Sequence, residues 1–150
     1  MSRVIEADRD AVWHALTDPN EVMAWDERAL APVDPAPDYP FTPGGMRWRV
    51  RLGSVPVVLH DRPTAVVAGS RLKRRVKLGG LRYEQTFTLT PAPGAPGHTV
   101  LGLKLVTANW IPLVGDSVDR FSARELATSH VDDTLRQVQA FFESEPPAQG

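Results

Sequence analysis

The sequence predicts an α+β domain: an antiparallel sheet of six to seven strands, with two short helices near its start and one long helix at its end. Three observations predict it. Between Met46 and Asn109 apolar residues recur at every second position, in runs separated by turn residues, as strands joined in sequence do. From about Asp116 to Glu143 the period becomes helical, over a run longer than an average helix. The stretch VWHALTDPNEVMAW, residues 12 to 25, joins two amphipathic segments through an Asp-Pro break.

A length of 150 residues suits one domain able to bury about 70% of its unfolded surface, here expected over residues 1 to 145, with 146 to 150 a disordered tail. Net charge is −1 and 42% of residues are hydrophobic, which argues against both a disordered chain and global attraction to nucleic acid. With no cysteine, disulfides, thiolate nucleophiles and cysteine-ligated metals are excluded. The start of the chain lacks the apolar run of a signal peptide and no segment is long enough to span a bilayer, so a cytoplasmic protein without membrane insertion is expected.

In order along the chain, residues 2 to 7 read as a short strand. Asp8 then caps a helix reaching about Asp18, its carboxylate accepting from amides of the first turn. Val12 and Leu16 share one face of that helix, Trp13 lies beside them, and His14 turns toward water. Pro19 opens the second helix, whose inward residues are Val22 and Trp25. Residues 26 to 45 are rich in proline and read as an irregular loop, a candidate rim or lid.

MRWRVRL then places Met46, Trp48, Val50 and Leu52 on one face, opposite three arginines. VPVVLHD, residues 55 to 61, is the next strand. RLKRRVKL puts Leu72, Arg74, Val76 and Leu78 together, Gly79-Gly80 marks a hairpin turn, and LRYEQTFTLT directs Tyr83, Gln85, Phe87 and Leu89 one way. After a second cluster of prolines and glycines, residues 99 to 109 turn Leu101, Leu103, Leu105, Thr107 and Asn109 inward. Such a meander has one dry face, and the final helix can cover it with Phe121, Val131, Leu135, Val138 and Phe142.

This order, with IEADRDAVWHALTDPNEVMAW at the start, GGMRWRV at the second strand and LRQVQAFFE at the end, resembles the START-related helix-grip superfamily (SRPBCC), most closely its polyketide cyclase/dehydrase branch. The resemblance covers nearly the whole chain. It implies a curved sheet whose concave face is gripped by the C-terminal helix around a ligand cavity, with Val12, Trp13, Leu16 and Trp25 as packing. Asp8 stands where the family often has proline or serine, and Asp61-Arg62-Pro63-Thr64 replaces the usual acidic-x-Pro-Pro segment.

Polar residues that interrupt the inward faces are the candidate ligand contacts: Arg74, Gln85, Thr107 and Asn109 on strands, Arg124 and Thr128 on the helix, with Trp48 and Phe121 as apolar wall. Arg74 and Arg124 can fix an anionic or carbonyl-rich ligand through forked hydrogen bonds, or each can pair with a carboxylate such as Asp61, Glu125 or Asp132. As catalytic candidates, Tyr83 and Arg124 supply donors and His60, alone among the histidines in lying within a strand pattern, a proton carrier. Which of His60 and Asp61 faces inward stays open. The resemblance implies binding of a hydrophobic, oxygenated, polyketide- or lipid-like molecule, with cyclisation, aromatisation or dehydration if the protein is an enzyme. A non-catalytic carrier is the alternative.

The four histidines show no metal-binding spacing, no glycine-rich phosphate cradle follows a strand, and GDSVD lacks a nucleophile elbow, so neither metal nor cofactor is expected. The other sheet face carries a row from Arg47 to Arg82, which reads either as an interaction surface or as solvated charge offset by acids such as Glu84. The near-neutral total favours solvated charge and makes nucleic acid an unlikely partner. Oligomeric state is not legible.

Overall fold

A computed structural model describes residues 1–34, 37–41, 44–52, 54–79, 81–109 and 120–144. The side chains of Leu52, Ala108, Asn109, 120–127 and Ser144 fall outside that description, as do the expected tail at 146–150, Gly80 and the expected helix start at 116–119. The described elements are β1 (Ser2–Ile5), α1 (Arg9–Thr17), α2 (Pro19–Trp25), β2 (Ala29–Pro32), β3 (Met46–Leu52), β4 (Val55–Val67), β5 (Arg71–Leu78), β6 (Leu81–Pro91), β7 (Thr99–Asn109) and α3 (Arg120–Ser144). The strands form one curved antiparallel sheet in the order β1-β7-β6-β5-β4-β3-β2.

The helix starts follow from local chemistry. Asp8 accepts from the Ala11 amide at 2.8 Å, and Asp18 ends α1 while capping α2 through the Asn20 amide at 3.0 Å, with Pro19 in the first turn. The indole Nε1 of Trp25 donates to the Ala15 carbonyl at 2.7 Å and ties the two helices together. Val12, Leu16 and Trp25 are buried, Trp13 packs against the core, and His14 is exposed. The stretch that opens the chain is packing.

Three boundaries differ from the sequence reading, the first being that β1 ends at Ile5 rather than at residue 7. Ala29 to Pro32 is an edge strand inside the segment read as irregular, paired to β3 with a register shift between Ala29 and Ala31. Its proline is tolerated because an edge strand has an unpaired side, so pairing partner rather than local propensity creates the element. β4 runs to Val67, six residues beyond the expected end. It passes Pro63 through a register shift against β5 between Pro63 and Ala65, the irregularity that accommodates proline in a paired strand.

Strand alternation divides the concave face into bands. One apolar row crosses Val66, Leu72, Phe87 and Leu103, and another crosses Trp48, Leu59, Leu78 and Leu81. Between them lie two rows that carry the polar interruptions: Met46, Asp61, Val76, Tyr83 and Thr107, then Pro63, Arg74, Gln85 and Leu105. Val131, Leu135 and Val138 of α3 pack with Ile5, Leu72, Phe87, Leu101 and Leu103, with Phe142 against the same cluster. A second cluster of Tyr39, Met46, Trp48 and Val50 fills the other end. Arg3 of β1 fastens α3 from the sheet edge, donating to Gln139 Oε1 at 2.7 Å and to Asp132 at 3.1 Å.

Candidate functional site

The polar band owes its geometry to β4. Val57 and Leu59 face Val50 and Trp48 of β3, which are buried, so Asp61 points inward by the same alternation. This settles the open question on that strand, and it corrects His60, which stands exposed on the convex face opposite Arg47 and Lys77. Gly45 holds the β3–β4 approach: with φ +78° it lies so near that a Cβ would stand 2.1 Å from the Asp61 carbonyl oxygen.

The Asp61 side chain is 0% exposed and its Oδ2 receives two donors, Tyr39 Oη at 2.6 Å and Arg74 Nη1 at 2.7 Å. Arg74 Nη1 also donates to Tyr39 Oη at 3.2 Å and its Nε to Gln85 Oε1 at 2.6 Å, while the guanidinium carbon lies 5.9 Å from the Phe87 ring centroid. Burial opposes the charge on Arg74, but the Asp61 carboxylate and the hydrogen bond to Tyr39 outweigh it and raise its pKa. Tyr39 is pushed up, first by burial and then by Asp61, so its hydroxyl keeps its proton. Asp61 is therefore the charge partner that the sequence offered as one of three for Arg74.

Beside this network, Tyr83 is buried and its ring meets His130 edge-on at 6.3 Å between centroids. Burial raises the Tyr83 pKa. Burial, then Arg28, lowers that of His130 to about 4. Arg28 Nη1 donates to His130 Nδ1, which leaves the proton of the neutral ring on Nε2 as a donor. Arg28 is itself held by Asp26 at 3.3 Å and by Thr134 Oγ1 at 3.1 Å. Among the described residues, Asp61 Oδ1 and Trp48 Nε1 are buried polar atoms with no hydrogen-bond partner, on neighbouring rows of the same face.

Of the residues singled out in the sequence, Arg74, Tyr83, Gln85 and Thr107 share this concave band, and Trp48 lies on the neighbouring row of the same face. Thr128 does not: it is exposed. The buried arc of α3 centres between Val131 and Val138, and at ~100° per residue Thr128 falls about 70–80° from that centre. Arg124, Phe121 and Asn109 lie outside the described side chains. Sequence reasoning missed Tyr39, Arg28 and His130. Tyr39 comes from a proline-rich loop without periodicity, and Arg28 and His130 act only as a pair joined across 102 positions.

A separate group, His14, Asp18 and Glu21, offers one ligand atom each within 4.8 Å of one another at the α1–α2 junction. His14 is exposed and pairs with both carboxylates, while Asp18 also caps α2. These contacts and the cap account for the grouping.

A family model for polyketide cyclase/dehydrase and lipid transport matches residues 1–143. The chain belongs to that family. Among solved structures, a START superfamily protein from Mycobacterium smegmatis superposes with TM-score 0.78 at 14% identity, covering 97% of both chains. A conserved protein from Geobacillus kaustophilus gives 0.69 at 13% identity over 95% of this chain and 92% of its own. DynU16, a protein in the dynemicin biosynthetic locus, gives 0.63 at 22% identity, covering 98% of this chain and 47% of that one. At such identities the likeness shows the fold alone, and that fold is the START-like helix grip. No curated protein matches the chain. Among the described residues, no helix is long and apolar enough to cross a membrane.

Proposed function

We propose that this member of the family binds a hydrophobic, oxygenated small molecule, polyketide- or lipid-like, between the sheet and α3, with a hydroxyl-bearing end at the polar band. The observation that carries the reading is the buried Asp61 carboxylate, one oxygen held by Tyr39 and Arg74 and the other without a partner. A buried polar atom left unpaired is costly. A ligand hydroxyl that donates to Asp61 Oδ1 satisfies the carboxylate, and a ligand oxygen that accepts from Trp48 Nε1 satisfies the indole. The half-buried Leu59, Leu78 and Leu81, on the row beside the band, suit the rest of such a molecule. Tyr83, Gln85, Thr107 and Arg74 supply the remaining polar contacts, and Arg124 and Phe121 are proposed to contribute from the start of α3.

A catalytic reading draws on Tyr83 and His130. A neutral imidazole with its Nε2 proton, next to a protonated phenol, offers donors to a developing enolate, as cyclisation or dehydration requires. Native mass spectrometry of protein purified from its source tests binding: a co-purified apolar molecule bearing hydroxyl or carbonyl groups is expected, displaced at least tenfold more readily in Asp61→Asn. An empty protein that also takes up no member of a panel of hydroxylated polyketides and fatty acids overturns the proposal. Incubation of the identified ligand separates enzyme from carrier, since a carrier returns it unchanged.

A further inference from the structure

The convex face carries a second feature, independent of the concave one. Ten of the chain's seventeen lysines and arginines project from it: three on β3, one on β4, four on β5, one on β6 and one on β7. Glu84 is the one acidic residue of the described strands that shares this face. The chain as a whole is at −1, so the charge is strongly segregated. A hollow of about 690 Å³ crosses this face from β3 to β6, with Arg47, His60, Arg62, Lys77, Arg82 and Glu84 in its lining.

Within it, the register sets like charges directly against one another. Arg47 faces His60, His60 faces Lys77, Lys77 faces Arg82, and Arg62 faces Arg75. Such facing pairs weaken a sheet unless something offsets them. The described residues offset only part. Asp34 takes Arg47 through two bonds of 2.8 and 2.7 Å, and Glu84 is shared by Lys73 at 3.6 Å and Arg75 at 3.8 Å. Arg62, Lys77 and Arg82 have no ion pair among the described residues, so uncompensated positive charge gathers at one place in the hollow.

We propose that this hollow is a binding site for a small molecule bearing a di- or triphosphate group, gripped by Arg62, Lys77 and Arg82. Guanidiniums match phosphate oxygens with paired donors, and adjacent strands bring the three cations within about 10 Å of one another. The volume fits a small molecule rather than a polymer track. Asp34 on one side and Glu84 on the other bound the site with negative charge, which a long polyanion would have to cross.

Titration calorimetry of the full chain with inorganic tripolyphosphate, against sodium sulfate at matched ionic strength, tests the site. Tripolyphosphate is expected to bind at least tenfold more tightly than sulfate. The Lys77→Ser/Arg82→Ser variant should lose tenfold or more, while Arg49→Ser/Arg51→Ser, on the same face but outside the hollow, stays within twofold. Circular dichroism verifies that both variants fold. Equal losses in the two variants overturn the proposal, because diffuse charge then explains the binding. Uptake of a single-stranded oligonucleotide or of phosphatidylglycerol vesicles without tripolyphosphate binding overturns it too, and assigns the face to a polymer or a membrane surface.

Discussion

Asp61 and Arg74 form a pair whose value lies in its completeness. Moving a carboxylate out of water costs several kcal/mol, and here one guanidinium and one phenol offset that cost at a single oxygen. Removing the cation alone strands the anion. Arg74→Met is therefore expected to lose about 3–5 kcal/mol in urea denaturation. Adding Asp61→Asn to that variant should recover at least half of the loss, since the buried charge is then gone as well. A double variant no more stable than the single one would mean that Arg74 stabilises by packing on Phe87 rather than through Asp61. Trp25 and Trp48 show how far environment governs one residue type: both are buried, yet only Trp25 satisfies its indole nitrogen.

At the scale of elements, β4 sets the site. Its alternation turns Asp61 inward and His60 outward, and a slip of one residue would exchange them. Gly45 pins this arrangement from the start of β3, since its positive φ and the short approach to the Asp61 carbonyl leave no room for a side chain. Gly45→Ala should cost at least about 2 kcal/mol and also disturb ligand binding, through displacement of the Asp61–Arg62 backbone. Intact stability with unchanged binding would show that the β3–β4 junction relaxes freely. α3 acts on the same band from above, through His130 and Thr134, which contact Arg28 from the loop after α2.

For the molecule as a whole, His130 links stability to pH because it stands where α3 meets the sheet, facing Tyr83 and near Arg28, Asp26, Arg74 and Asp133. Its folded pKa of about 4 lies below the ordinary 6.5, so the unfolded chain takes up the proton first. Its contribution is full above pH 6.5 and is lost as pH falls from there through 4. The upper limit is about 3 kcal/mol, less the part that water reaching this half-buried ring screens. Urea midpoints between pH 7 and 4 should fall less steeply for His130→Gln than for the natural sequence. Identical slopes would show that the imidazole protonates as readily in the folded protein.

The sequence by itself determined the order of elements apart from β2, the cap at Asp8, the break at Asp18-Pro19, the two-residue alternation that puts Arg74, Tyr83, Gln85 and Thr107 on one face, and the stripe of Val131, Leu135 and Val138. Each depends on neighbours within a few positions, which is the range over which side-chain periodicity and capping act. The tertiary structure decided the rest. Pairing with β3 made a strand of Ala29 to Pro32 and carried β4 past Pro63, because a partner's hydrogen bonds outweigh weak local preference. It also chose Asp61 over His60 for the interior and joined Tyr39, Arg28 and His130 to a site whose parts lie up to 102 positions apart in the chain. Contacts between residues so distant leave no periodic trace, since nothing in the local backbone links them until the sheet has closed under the helix.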